Sequence, residues 1–126
     1  MRQTDNERTL TRAEMEIMNI LWDAGQGMTT HEIIDCYPEP RPAYSTIATF
    51  LKILTNKGFV RPRKRESGGK TFQFLPLITR ETYTNRVMRE VKTTLFKGSL
   101  KSMLSFFVEQ EKVSEEDLKD ILSLIK

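Results

Sequence analysis

The chemistry this chain offers lies in two neighbouring stretches. One is a segment that combines Tyr44, Ser45, Thr46, Thr49, Lys52 and Asn56 with no carboxylate among them. The other is a basic run, Arg61, Arg63, Lys64, Arg65 and Lys70, around Ser67-Gly68-Gly69. Hydroxyls, a phenol and a lysine without acidic neighbours can approach DNA base edges and phosphates at no electrostatic penalty. The window from Arg41 to Lys70 holds eight basic residues against Glu66, a net charge of +7. The remainder carries twelve basic and sixteen acidic residues, a net charge of −4, so the total of +3 conceals a strong asymmetry. A positive patch on a nearly neutral body is the electrostatic footprint of a nucleic-acid binder. The plainer alternatives are a solvated charged face, or charges that guard an exposed strand edge against aggregation.

Catalytic and metal chemistry find no comparable support. The single His31 and single Cys36 are five residues apart on different helix faces, and Asp35 is better placed relative to His31. A metal site there needs ligands from another chain. No serine, cysteine or carboxylate set resembles a catalytic constellation. Gly68-Gly69 is too short to cradle a phosphate, and Glu115-Glu116-Asp117 is the favourable acidic first turn of a helix. The chain therefore reads as a non-enzyme without metal or cofactor.

The elements that position the polar face follow from period and punctuation. Residues 1–9 read as a frayed polar tail without a secretory segment. Thr11 with Glu14 makes a capping box, Leu10 and Met15 a staple over it, and Met15, Ile17, Met18, Leu21 and Trp22 an apolar face ended by Gly25 and Gly27. Thr29 with Glu32 caps a short second helix, about 30–37, which Pro38, Pro40 and Pro42 close. A third helix runs from Pro42 or just after it to Lys57, with Gly58 as its C-terminal cap and Ile47, Phe50, Leu51 and Leu54 as its buried stripe. Ser45 and Thr46 can also serve as caps of a slightly later start. A short helix, a tight turn and a longer helix with a polar outer face form the helix-turn-helix pattern. Phe59 and Val60 open a strand, Phe72 and Phe74 alternate in its partner, and Pro62 marks the first strand as an edge. Helix, hairpin and basic tip in this order are those of a winged helix.

Beyond Pro76 the pattern changes. A helix over 79–96 carries the narrow stripe Tyr83, Val87, Val91 and Leu95. Gly98 breaks it, and Leu104 and Phe107 belong to the next apolar repeat. Ser114 with Asp117 caps a last segment with Leu118, Ile121, Leu122 and Ile125. These segments bury little alone, and packing against a second copy would cover them. Within 126 residues and 38% hydrophobic content there is room for one small domain plus this accessory region. No apolar run approaches the roughly 18 residues that span a bilayer. A single cysteine fits a reducing cytoplasm.

The residues also carry a family resemblance. Leu10–Trp22 (LTRAEMEIMNILW), Ser45–Phe59 (STIATFLKILTNKGF) and the pieces KGSL at 97–100 and FVEQE at 107–111 resemble the penicillinase-repressor group of winged-helix regulators, the BlaI/MecI family, with the CopY-type copper regulators as relatives. The resemblance implies a dimeric repressor of palindromic operators. It places Thr46 and Thr49 on base-reading positions and Ser45 where a phosphate-contacting residue occurs. Ala48 stands where some members have Arg. It also implies a membrane sensor-protease pathway that cuts between Asn and Phe in the C-terminal helices; the aligned pair here is Phe106–Phe107, with Phe in place of Asn. The cysteine motif of the copper-responsive relatives is missing.

The sequence thus reads as mainly α with a small β-hairpin wing: a winged helix-turn-helix over 9–77 and a helical dimerisation region over 78–126. Its function reads as a homodimeric cytoplasmic repressor on a double-stranded operator, with no membrane insertion. The rival readings are a winged helix that binds an acidic protein surface and a metal-responsive regulator using His31 and Cys36.

Overall fold

The computed structural model describes residues 9–65 and 71–125, with Ile125 described by its backbone alone. Among the described residues six helices and one hairpin follow in order: α1 Arg12–Ala24, α2 Thr30–Asp35, α3 Tyr44–Lys57, β1 Val60–Lys64, β2 Phe72–Pro76, α4 Arg80–Leu95, α5 Leu100–Gln110 and α6 Glu115–Ile125. The chain divides into two compact units, Met1–Thr84 and Asn85–Lys126, so the first turn of α4 belongs with the elements before it.

Local chemistry sets the helix limits of the first unit. At the start of α1, Thr11 Oγ1 accepts the Glu14 N–H at 3.2 Å while Glu14 Oε1 accepts the Thr11 N–H at 2.8 Å. Thr29 and Glu32 repeat the same reciprocal pair at α2, at 3.2 and 2.8 Å. Each box satisfies two backbone donors that a helix start leaves without partners. Gly25 and Gly58 end α1 and α3 with φ of 69° and 84°, a left-handed conformation open to glycine at little cost.

The two strands pair antiparallel, with Pro62 opposite Phe74. Phe74 turns its own N–H and C=O away from β1, onto the backbone of Met28 at 2.7 and 3.2 Å. Pro62 therefore occupies a position where the β1–β2 ladder asks for no donor, and its missing N–H costs the hairpin nothing. Ile17, Met18 and Leu21 of α1, Ile33 of α2, Ile47, Leu51 and Leu54 of α3, with Phe59 and Val60, form the buried core. Tyr83 from α4 closes it: its ring lies 5.7 Å from Phe59 and 6.2 Å from Trp22, and its hydroxyl accepts the Leu10 N–H at 2.8 Å.

In the second unit, Ser99 and Ser114 cap α5 and α6 by accepting the Ser102 and Asp117 N–H groups, both at 3.0 Å. Gly98 separates α4 from α5 with φ of 81°. Met103 is the buried hydrophobic residue among the described side chains of this unit.

Candidate nucleic-acid interface

Helix α3 buries Ile47, Leu51 and Leu54 and turns Tyr44, Ser45, Thr46, Thr49 and Lys52 to solvent. Its N-cap is Ala43, which offers no side-chain cap, and its first turn contains no acidic residue. The first backbone N–H groups thus stay available beside two hydroxyls, at the positive end of the helix dipole, which suits a phosphate. Thr49 Oγ1 donates to the Ser45 carbonyl at 2.8 Å, which leaves its methyl and an oxygen lone pair outward. Tyr44 packs its ring 4.9 Å from that of His31 on α2, so the phenol stands against a second ring while half of it remains exposed.

The basic patch is less uniform in space than along the chain. Three of its cations are matched by carboxylates from outside the window. Arg41 pairs with Glu39 at 2.8 Å, Lys57 with Glu14 at 2.9 Å, and Arg65 with Glu32 at 3.3 Å. Among the described residues Lys52, Arg61, Arg63 and Lys64 face no carboxylate; Arg63 donates to the Gln73 side chain across the hairpin at 3.3 Å. Arg61, Arg63 and Lys64 are exposed along β1, whereas Arg65 is half-buried. Lys70 and the Ser67-Gly68-Gly69 turn lie outside the described residues.

Glu14 is the most buried of these carboxylates. Burial alone would raise its pKa, yet the Thr11 N–H and the Lys57 ammonium outweigh burial and hold it below the ordinary glutamate value. Glu32 is also held low, first by the Thr29 N–H and then by the charge of Arg65. Both glutamates read from sequence as capping residues. Their second role was missed because an ion pair across 33 or 43 residues leaves no local pattern.

The proposed dimerisation residues fall in both units. Tyr83 sits in the first, 6% exposed and packed among Leu10, Trp22 and Phe59. Val87, Val91 and Leu118 of the second unit are half-buried, while Leu95, Leu104, Phe107, Ile121 and Leu122 are exposed. The Ile125 side chain lies outside the described residues. Phe106 and Phe107 sit inside α5, both exposed, with the Phe106 ring 5.6 Å from Phe96. Among the described residues no three His, Cys, Asp or Glu side chains come together as metal ligands. No described helix is long and apolar enough to cross a membrane.

A short helix, a proline-rich turn, a second helix with a polar outer face and a basic hairpin behind it define a winged helix-turn-helix. A model of the family described as penicillinase repressor matches residues 10–126. The methicillin resistance regulatory protein MecI of Staphylococcus aureus strain N315 is 24% identical over 116 residues, covering 92% of both chains. The penicillinase repressor of Bacillus licheniformis is 24% identical over 93% of this chain and 89% of its own. An uncharacterised 16.5 kDa protein of Latilactobacillus sakei is 27% identical over 96% of this chain and 81% of its own. The chain belongs to the penicillinase-repressor family, and it is a DNA-binding transcriptional repressor rather than an enzyme.

Proposed function

We propose that the protein is a cytoplasmic homodimeric repressor that occupies a palindromic operator. Each subunit would lay the N-terminal half of α3 in a major groove and set its wing against the adjoining backbone. The observation that carries this reading is the face of α3: an uncapped N-terminus, three exposed hydroxyls and Lys52, with no carboxylate in its first turn. Thr46 and Thr49 are assigned to base edges, Tyr44, Ser45 and Lys52 to bases or phosphates, and Arg61, Arg63, Lys64 and Lys70 to the backbone.

The assignment to a dimer rests on the second unit, where Leu95, Leu104, Phe107, Ile121 and Leu122 remain exposed. A second copy supplies it, and two α3 helices in a symmetric pair would meet half-sites one duplex turn, roughly 34–36 Å, apart. Tyr83 is taken up by the first core; the interface is assigned to Val87, Val91, Leu95, Leu104, Phe107, Leu118, Ile121, Leu122 and Ile125.

The test is selection of bound sequences from a random duplex pool, followed by affinity measurement on the selected site over a range of salt. The expected outcome is an inverted repeat, with log K falling steeply and linearly against log salt. Failure to bind any duplex at low salt would exclude the reading.

A further inference from the structure

Glu32 stands apart from its surroundings. It is an acidic side chain at the third position of α2, the first helix of the helix-turn-helix, and it reaches a residue of the wing. Its two oxygens do different things. Oε1 accepts the Thr29 N–H at 2.8 Å and closes the cap of α2. Oε2 accepts from the Arg65 guanidinium at 3.3 Å. Arg65 follows the last residue of β1, and its backbone N–H donates to the Thr71 carbonyl at 3.3 Å, which fastens the far end of the hairpin. Just before α2, the Met28 backbone pairs with Phe74 of β2. The start of α2 thus holds the hairpin twice, once by backbone bonds to β2 and once by a charge pair to the end of β1. Arg61, Arg63 and Lys64 have no such tie to α2 and stand exposed, while Arg65 is half-buried.

We propose that Glu32 is a positioning residue for operator binding: its carboxylate holds Arg65 and so fixes the wing against the helix-turn-helix. Arg65 then spends its charge on Glu32 rather than on a phosphate. This inference rests on the DNA-binding reading above, and it takes Arg65 out of the basic run of cations offered to DNA.

Electrostatics gives the test its sign. A carboxylate beside a DNA-binding surface repels phosphate, so neutralising it without other consequence tightens binding. Loss of a latch weakens it. Glutamine at the third helical position closes a capping box as glutamate does, so Glu32→Gln keeps the cap and removes the charge. Glu32→Gln, Arg65→Gln and the double variant are measured on the selected operator duplex at several salt concentrations, with thermal unfolding as the folding control. Each single variant should weaken binding by roughly two- to five-fold, the range a half-exposed pair can contribute. The double variant should bind no more weakly than the weaker single one, and the slope of log K against log salt for Arg65→Gln should match that of the unaltered chain. Unchanged or tighter binding by Glu32→Gln overturns the latch. So does a slope for Arg65→Gln that is shallower by about 0.9, the mark of one lost phosphate contact. An unaltered chain that binds no duplex overturns the DNA-binding reading itself, and the latch with it.

Discussion

The two units of the chain are written in the same amphipathic code and come out differently. In the first, Ile17, Met18, Leu21, Ile33 and Leu54 reach 0% exposure because three helices and a hairpin cross over one another. In the second, Leu95 is 72%, Leu122 58% and Leu124 83% exposed, although α6 is as regularly patterned as α1. An apolar stripe predicts burial; it does not say which chain provides the cover. The first unit finds its cover in itself, and the second is assigned one from a second copy. Full burial of one such side chain gains about 1.5–3 kcal/mol, which is the gain per residue that a covering second copy would bring.

The sharpest break of this contrast is inside the first core. Leu51→Ala removes a side chain of α3 that is 1% exposed. It should cost about 3–4 kcal/mol in denaturant unfolding, from lost transfer energy and the cavity left behind. A cost below about 1 kcal/mol would mean that α3 packs more loosely than its exposure states.

Next comes the charge pair that joins the start of α1 to the end of α3. Lys57→Met leaves the Glu14 carboxylate buried with only its cap, and should cost about 3 kcal/mol at neutral pH, the lower end for breaking a buried pair. The dependence on pH has a definite sign. The folded-state pKa of Glu14 is depressed, so its stabilisation is present above the unfolded value of about 4.3 and fades as pH falls through the folded one. The difference between Lys57→Met and the unaltered chain should therefore narrow between neutral and strongly acid solution. A constant gap would show that Lys57 acts through packing of its stem alone.

The second unit is broken at its open face. Leu122→Asp puts an unpaired charge where the dimer reading buries a leucine, and should weaken self-association by about 2 kcal/mol or more, roughly thirty-fold. Sedimentation checks this, while Trp22 fluorescence should report an intact first unit. A dimer of unaltered strength would remove Leu122 from the interface.

Much of this contrast was legible in the sequence, for identifiable reasons. Capping boxes at Thr11 and Thr29, glycine stops at Gly25 and Gly58 and the 3.6-residue stripes are all local, and local rules set where helices begin, end and bury. The hairpin was legible because Phe72 and Phe74 alternate and Pro62 marks an edge. Contacts between distant segments were not. Charge counting gave a patch of eight cations, but Lys57 and Arg65 are tied down by Glu14 and Glu32, which lie far away along the chain. Tyr83 repeats in step with Val87 and Val91, so period alone grouped it with the second unit. Its ring packs in the first core, against Phe59 and Trp22, and its hydroxyl accepts the Leu10 N–H.

On the polar face of α3 the expected effects are smaller and concern specificity. Thr49→Ala should cost about 1–2 kcal/mol on the selected operator and much less on random duplex, since a base contact carries sequence information and a phosphate contact does not. Equal losses on both would show that Thr49 does not read a base.

The smallest effect probes the border between the units. Tyr83→Phe keeps the ring against Phe59 and Trp22 and removes only the oxygen that accepts the Leu10 N–H. That donor is then buried without a partner, at a cost of about 1 kcal/mol. Two measurements separate the roles open to this residue. If Tyr83 serves the first core, unfolding shifts by that amount, the Leu10 amide exchanges faster, and self-association stays as it was. If it serves the subunit interface, self-association weakens and the Leu10 amide keeps its protection. The bond of 2.8 Å between two buried groups, 73 residues apart in sequence, favours the first outcome. In that case the contrast between a unit closed on itself and one left open falls within α4, after its first turn.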